Sequence, residues 1–360
     1  MKSSPNCDLM PRLGLRYPIV QGPFGGGLST VALAAAVTNE GGLGSFGAQG
    51  LEPKAIIRLA AELRAATAGP FNLNLWVSLH DPGGETMSPE QHSAGLGQFA
   101  AIYRKLGITP PPLAPPDDFT FVQQAEAILE ARPAVFSFVF GIPDREILAA
   151  CRKRGILTLG AATTVEEAVV LEEAGVDMIV ATGCEAGGHR PSFLRPAELS
   201  LMGTLALVPQ AVDAVGIPVI AAGGIADPRG VAAALRLGAQ AVQIGTAFLA
   251  CQESGCAPAH RRALFSPAAS HTRLSRKLTG RWARFMANPL LEILESQSPA
   301  LLPYPHQGWF NGPVKKAARE RDDGDWLPLY AGQGAGLLRH HTVESLMRFL
   351  TDRRVQGLPA

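Results

Sequence analysis

The chain has 360 residues, 47% of them hydrophobic and 18% charged, with a formal net charge of +1. That suits one large α/β domain with additions and excludes a disordered or coiled-coil protein. No basic stripe points to nucleic acid, and no run of 18 uncharged apolar residues points to a membrane span.

In chain order, Ile19-Val20 predicts a first strand leading into Gln21-Gly22-Pro23. Residues 31–37 read as a buried helix closed by Gly41-Gly42, and 43–46 as a second strand. Pro53 opens a helix to Ala66, with Pro at the position helices tolerate best. A third strand spans 71–77. The stretch His80 to Pro116 breaks the rhythm with Pro and Gly; it reads as an insertion over the barrel mouth, holding a helix over 89–106. A helix at 119–131 and a strand at 134–140 follow. The second half alternates more cleanly: helix 147–154, strand 156–159, helix 165–174, strand 177–181, strand 217–222, helix 228–237 and strand 241–244. Thr164 ahead of Glu166 and Glu167 suits a helix start.

Eight strands with crossovers long enough for helices predict a parallel sheet. The count and the glycines at strand ends favour a closed (β/α)8 barrel, a TIM barrel, over an open doubly wound sheet. Residues 250–360 are expected to form a helical extension packed on that single domain.

The N-terminus lacks the apolar stretch of a signal peptide. Five cysteines, Cys7, Cys151, Cys184, Cys251 and Cys256, are odd in number and irregularly spaced. A reduced, cytoplasmic protein is expected rather than a disulfide framework. Cys251, Cys256 and His260 match no zinc spacing, so no metal is expected.

Ligands of such barrels sit at the C-terminal ends of the strands. There the sequence places Gln21-Gly22-Pro23, then Asn74, then Gly187-Gly188-His189, then Gly223-Gly224, then Gly245-Thr246. Paired glycines after one strand and Gly-Thr after the next leave bare N–H groups for a phosphate dianion. His189, two glycines into the mouth, is placed to move a proton near neutral pH. Glu185 either orients a ring or bonds to backbone. Gly42-Leu43-Gly44-Ser45-Phe46-Gly47, with Glu62 beyond, spells a dinucleotide fingerprint, but a helix precedes it where a strand belongs.

Several stretches in order resemble the nitronate monooxygenase family, formerly called 2-nitropropane dioxygenases. They are 21–30 with Gly41-Gly42-Leu43-Gly44, Phe71-Asn72-Leu73-Asn74-Leu75-Trp76, and Phe136 to Pro143. Glu185-Ala186-Gly187-Gly188-His189-Arg190, Pro218 to Ile225 and Gln243-Ile244-Gly245-Thr246-Ala247-Phe248 complete the match. The resemblance implies non-covalent flavin mononucleotide (FMN), with Gln21, Gly22 and Pro23 along the ring and Asn74 against it. Gly187, Gly224 and Gln243 to Thr246 would hold the phosphate side, and His189 matches the catalytic histidine. It implies oxidation of alkyl nitronates by O2 to carbonyl compounds and nitrite, with neutral nitroalkanes used when His189 removes a carbon-bound proton.

Two departures stand out. Thr182 occupies a position where many members carry Gln, and Arg190-Pro191-Ser192-Phe193-Leu194-Arg195 replaces a small pair after His189. Arg190 and Arg195 either bind an anionic substrate group or pair at the surface with Glu198. Trp76 and the insertion are expected to shape the substrate pocket, and a homodimer stays open. The rival readings are an FMN-dependent NAD(P)H reductase of enoyl-acyl carrier protein or of quinones, and a non-catalytic flavin carrier.

Overall fold

The computed structural model describes residues 9–77, 86–113, 119–297 and 301–352. Its barrel strands are β1 (Ile19–Gln21), β2 (Gly44–Gly47), β3 (Phe71–Trp76), β4 (Val135–Val139), β5 (Leu157–Ala162) and β6 (Met178–Thr182). After a two-residue strand β7 (Gly188–His189) that belongs elsewhere come β8 (Val219–Ala222) and β9 (Ala241–Ile244). All eight barrel strands pair in parallel in the order β1-β9-β8-β6-β5-β4-β3-β2. The bridge Val20–Leu43 closes the ring, with Leu43 N donating to Ile19 O and Gln21 N to Leu43 O, both at 2.9 Å. The expected TIM barrel is what forms.

Alternation along the strands explains the interior. Val135, Leu159, Met178, Ile220 and Ala241 fill the lower barrel, and Leu9 and Leu13 of the helix Leu9–Leu13 pack with them. Higher up the same strands, two or four residues on, stand Ser137, Thr182 and Gln243, with Asn72 and Asn74 on β3. The core therefore turns polar toward the C-terminal ends, where Asn72 Nδ2 donates to Ser45 Oγ (3.1 Å) and Asn74 Nδ2 to Ser137 Oγ (3.0 Å). The crossover helices start where side chains cap them: Thr30, Thr120, Thr164 and Asp227 each accept from a backbone N–H in the first turn.

The fingerprint glycines are packing devices. A Cβ on Gly44 would strike the Ala34 carbonyl, and one on Gly47 the backbone of Phe24. They let the chain pass closely.

Beyond β9 the chain is not only helical. β10 (Thr272–Ser275) and β11 (Ala283–Met286) form an antiparallel pair, and β7 adds to its edge with His189 opposite Ala283. The helices Pro258–Leu264, Pro289–Ser296, His306–Glu320 and Val343–Leu350 complete this extension. The helix expected in the insertion forms as Pro89–Leu106, with a Ser88–Gln91 capping box and a left-handed Gly107 at its end. It packs on His306–Glu320: Phe99 stacks on Phe310, Tyr103 OH donates to Phe310 O (2.7 Å), and Trp309 Nε1 to Pro112 O (2.8 Å). The parts of the insertion at 80–85 and 114–116 lie outside the described residues.

Candidate active site

A cavity of about 350 Å³ opens at the C-terminal ends of the barrel strands, within the size range of small-molecule sites. One end is made of bare backbone: Gly187 and Gly188 beside β6, Gly223 and Gly224 after β8, and Gly245 and Thr246 after β9. Gly188, Gly223 and Gly224 have φ of 77°, 115° and 71°, a region that L side chains rarely enter. At Gly188 a Cβ would meet nothing within 4 Å, so the bare chain there borders open space. The middle is lined by Gly22, Pro23, Asn74, Thr182 and Gln243, and the far wall by Trp76, Phe140 and His189.

Twelve of the fourteen positions singled out from the sequence therefore converge on one cavity. Gln21 and Ile244 do not line it. Gln21 is fully buried: its Nε2 donates to Gly22 O and its Oε1 accepts from Ser45 N at 2.8 Å. It holds the β1–β2 junction on which Gly22 and Pro23 are mounted. Ile244 is wholly buried, with its neighbours Gln243 and Gly245 reaching the cavity.

His189 stands at the wall, its ring centroid 4.9 Å from that of Trp76 in an edge-on contact. Its Nε2 lies 3.0 Å from Thr279 Oγ1, in the loop between β10 and β11. Desolvation first, and then the guanidinium of Arg281, push its pKa down to about 3. The imidazole is neutral at ordinary pH and has a lone pair to offer. The Arg281 guanidinium itself stacks on three rings, those of Phe140, Tyr304 and Trp76, at 3.8, 4.0 and 5.4 Å.

The other charged candidates fall away from the cavity. Arg190 is buried, and its guanidinium donates to the carbonyls of Thr182, Ser200 and Thr163. Arg195 pairs at the surface, as one of its two readings has it, but with Glu166 at 3.3 Å and not with Glu198. Glu185 caps the start of the Thr204–Ala214 helix, accepting from Thr204 N at 2.9 Å and Thr204 Oγ1 at 2.9 Å, which is its backbone reading. The buried Glu167 ties down the loop after His189 by accepting from Phe193 N and Leu194 N. His260 Nε2 lies 2.9 Å from Tyr330 O, and among the described residues no cluster of His, Cys, Asp or Glu is arranged for a metal.

Several lining residues were not anticipated: Gln49, Tyr330, Gly332, Gly334, Lys315 and Arg319. All but Gln49 come from the extension. Gly332 N donates to Thr246 Oγ1 at 2.9 Å, which docks the extension onto the glycine end. Phe140 carried one local signal, its place just before Gly141 at a strand end; its φ of 68° is rare for a non-glycine residue and is held by the site.

A largely apolar cavity with a few amide and hydroxyl groups, joined to a backbone-only end, fits a ring system carrying a phosphate tail. Comparison with known proteins agrees. The profile of the nitronate monooxygenase family matches residues 8–352. A nitronate monooxygenase of Paraburkholderia phytofirmans is 41% identical over 354 residues, covering 97% of this chain and 95% of the relative. One of Pseudomonas aeruginosa is 40% identical over 346 residues, covering 94% and 97%. The solved structure of a nitroalkane oxidase from Streptomyces ansochromogenes superposes with a TM-score of 0.86 at 36% identity, over 97% of this chain and 99% of that one. The chain belongs to the nitronate monooxygenase family and is a flavin-dependent oxidoreductase that oxidises nitronates.

Proposed function

We propose that the flavin is FMN, that its phosphate lies against Gly187-Gly188, Gly223-Gly224 and Gly245-Thr246, and that His189 is the base that admits neutral nitroalkanes. The observation that carries the reading is the convergence of a bare glycine end, with no carboxylate among the described lining residues, and a neutral imidazole in one cavity. A monophosphate tail fits that end, and no second nucleotide lobe is called for.

When bound, a flavin would supply the one-electron oxidising chemistry that, with O2, turns a nitronate into a carbonyl compound and nitrite. The chain's own residues orient the substrate and take up its proton. Gly22 and Pro23 offer backbone and an apolar ring along the middle of the cavity. Asn74, its Nδ2 committed to Ser137, keeps its carbonyl for the ligand. Thr182 and Gln243 stand across from it. His189 takes the proton from the carbon beside the nitro group; the bonding pair stays behind as C=N, and the charge moves to the nitro oxygens. Trp76 and Phe140 exclude water beside the imidazole and set the room for the alkyl chain. Among the described residues of the insertion, none lines the cavity, so its helix acts through His306–Glu320.

Cys151, Cys184, Cys251 and Cys256 are free thiols, three of them buried, which supports a reducing, cytoplasmic setting. Among the described residues no helix is long and apolar enough to cross a membrane.

The test is direct. The purified protein should be yellow, should release FMN on denaturation, and should produce nitrite from propyl-2-nitronate under air with uptake of oxygen. Release of a flavin dinucleotide would overturn the phosphate reading, and bleaching by NADH without nitrite release would favour the reductase.

A further inference from the structure

The hydroxyl of Thr279 sits at a junction of three groups. Its Oγ1 is 3.1 Å from the carbonyl oxygen of Arg281, 3.3 Å from the amide nitrogen of Arg281 and 3.0 Å from His189 Nε2. A threonine hydroxyl has one proton and two lone pairs. The Arg281 amide can only donate, so it takes one lone pair. The Arg281 carbonyl can only accept, so it calls for the proton. One lone pair is left, and His189 Nε2 must then arrive as N–H. The opposite assignment gives the threonine proton to Nε2. It leaves two oxygen lone-pair systems facing each other at 3.1 Å, which low-dielectric surroundings make costly.

We propose that Thr279 is a positioning residue that holds His189 in the Nε2–H tautomer, so that Nδ1 is the atom that takes the substrate proton. The inference rests on His189 being the base. Nδ1 makes no hydrogen bond to any described residue, and His189 lines the cavity, so the free lone pair belongs to the nitrogen that protein groups leave alone. The strand pairing fixes the ring's attachment as well: β7 is held on β11 with His189 opposite Ala283, and Arg190 N donates to Trp282 O at 2.8 Å. Backbone and side chain of one hairpin thus set both the place of the imidazole and the nitrogen that bears its proton.

The tautomer can be read without turnover. Protein labelled with ¹⁵N-histidine gives imidazole shifts that distinguish protonated from bare nitrogens, and His189→Asn identifies the His189 signals by their loss. The expected result is a protonated Nε2 and a bare Nδ1 in the wild type and in Thr279→Ser, and a mixture or the reverse in Thr279→Val. The ratio of kcat/KM for nitroethane to that for its nitronate should fall about tenfold in Thr279→Val and recover in Thr279→Ser, since proton abstraction alone needs the tautomer. A proton on Nδ1 in the wild type would sink the proposal, as would a Thr279→Val protein with wild-type shifts and ratio. If His189→Asn keeps the wild-type ratio, the base assignment fails, while the shifts still decide what Thr279 does.

Discussion

The two ends of the active site are built by different means. Most of the glycine end, Gly223-Gly224 and Gly245-Thr246, stands on β8 and β9, two four-residue strands of the barrel, and on the turns that follow each of them, with Gly187 and Gly188 joining it from the turn into β7. The imidazole wall stands on β7, two residues long, which exists only because β11 of the extension pairs with it. The first end is local: strand, turn and following helix lie within a few residues, and the geometry follows from parallel pairing. The second is assembled from segments about a hundred residues apart. Binding is thus written into the barrel, and proton transfer into what is laid over it.

That division is open to attack. The largest effect should come from the base. His189→Asn is expected to lower kcat/KM for neutral nitroalkanes by about 10²–10⁴-fold while FMN stays bound, as nitrite release and the flavin spectrum would show. If the neutral substrates survive the change, the wall has no part in proton transfer. Next comes the seam between the regions. A Cβ at Gly187 would lie 2.5 Å from Gly332 N. Gly187→Ala should therefore cost about 1–3 kcal/mol of docking and weaken FMN correspondingly, measured by flavin titration of the apoprotein.

A subtler effect concerns pH. With the pKa of His189 pushed down to about 3, the base is neutral throughout pH 5–8, and kcat/KM for a nitroalkane should show no histidine limb there. Arg281→Gln removes a cation that disfavours the imidazolium, so the pKa rises. Activity should then be lost as pH falls toward it, after allowance for the nitroalkane's own ionisation. The same depressed pKa makes the fold less stable as pH drops below about 6.5, where the unfolded histidine takes up a proton that the folded one refuses. Trp76→Ala should change the dependence of KM on alkyl chain length by about tenfold, and equal KM values across chain lengths would remove Trp76 from substrate selection. Smallest of all, Arg195→Ala should shift stability by no more than about 0.5 kcal/mol and leave turnover alone, because its pairing with Glu166 is exposed.

The same division explains what could be read from the sequence. The barrel strands announce themselves as apolar runs ending in glycine, and only their limits move: the strand expected at 156–159 runs to Ala162, and the one expected at 177–181 reaches Thr182. The Thr204–Ala214 helix gave no clear signal because Pro209 interrupts it. Its missing hydrogen bond falls on Leu205 O, on an exposed turn where water can serve. β7 has only two residues, β10 and β11 (Thr-Arg-Leu-Ser and Ala-Arg-Phe-Met) are not the apolar runs that β8 and β9 are, and the pairing of β7 with β11 across more than 90 residues leaves no local trace. For Arg190 neither open reading, an anionic substrate group or surface pairing with Glu198, meets its actual role. Its burial against three carbonyls depends on the fold of the 190–200 loop, which no spacing reveals.

The pairing of β7 with β11 has a further consequence for how the enzyme comes into being. The barrel's last strand ends at Ile244, so the ring can close before the hairpin that orients His189 has left the ribosome. Joining residue 189 to residue 283 closes a loop of about ninety residues, a late and entropically costly contact. During synthesis the turns of the barrel should therefore form before the working base is set, and a nascent chain stopped short of residue 283 would lack the strand that holds His189 in place.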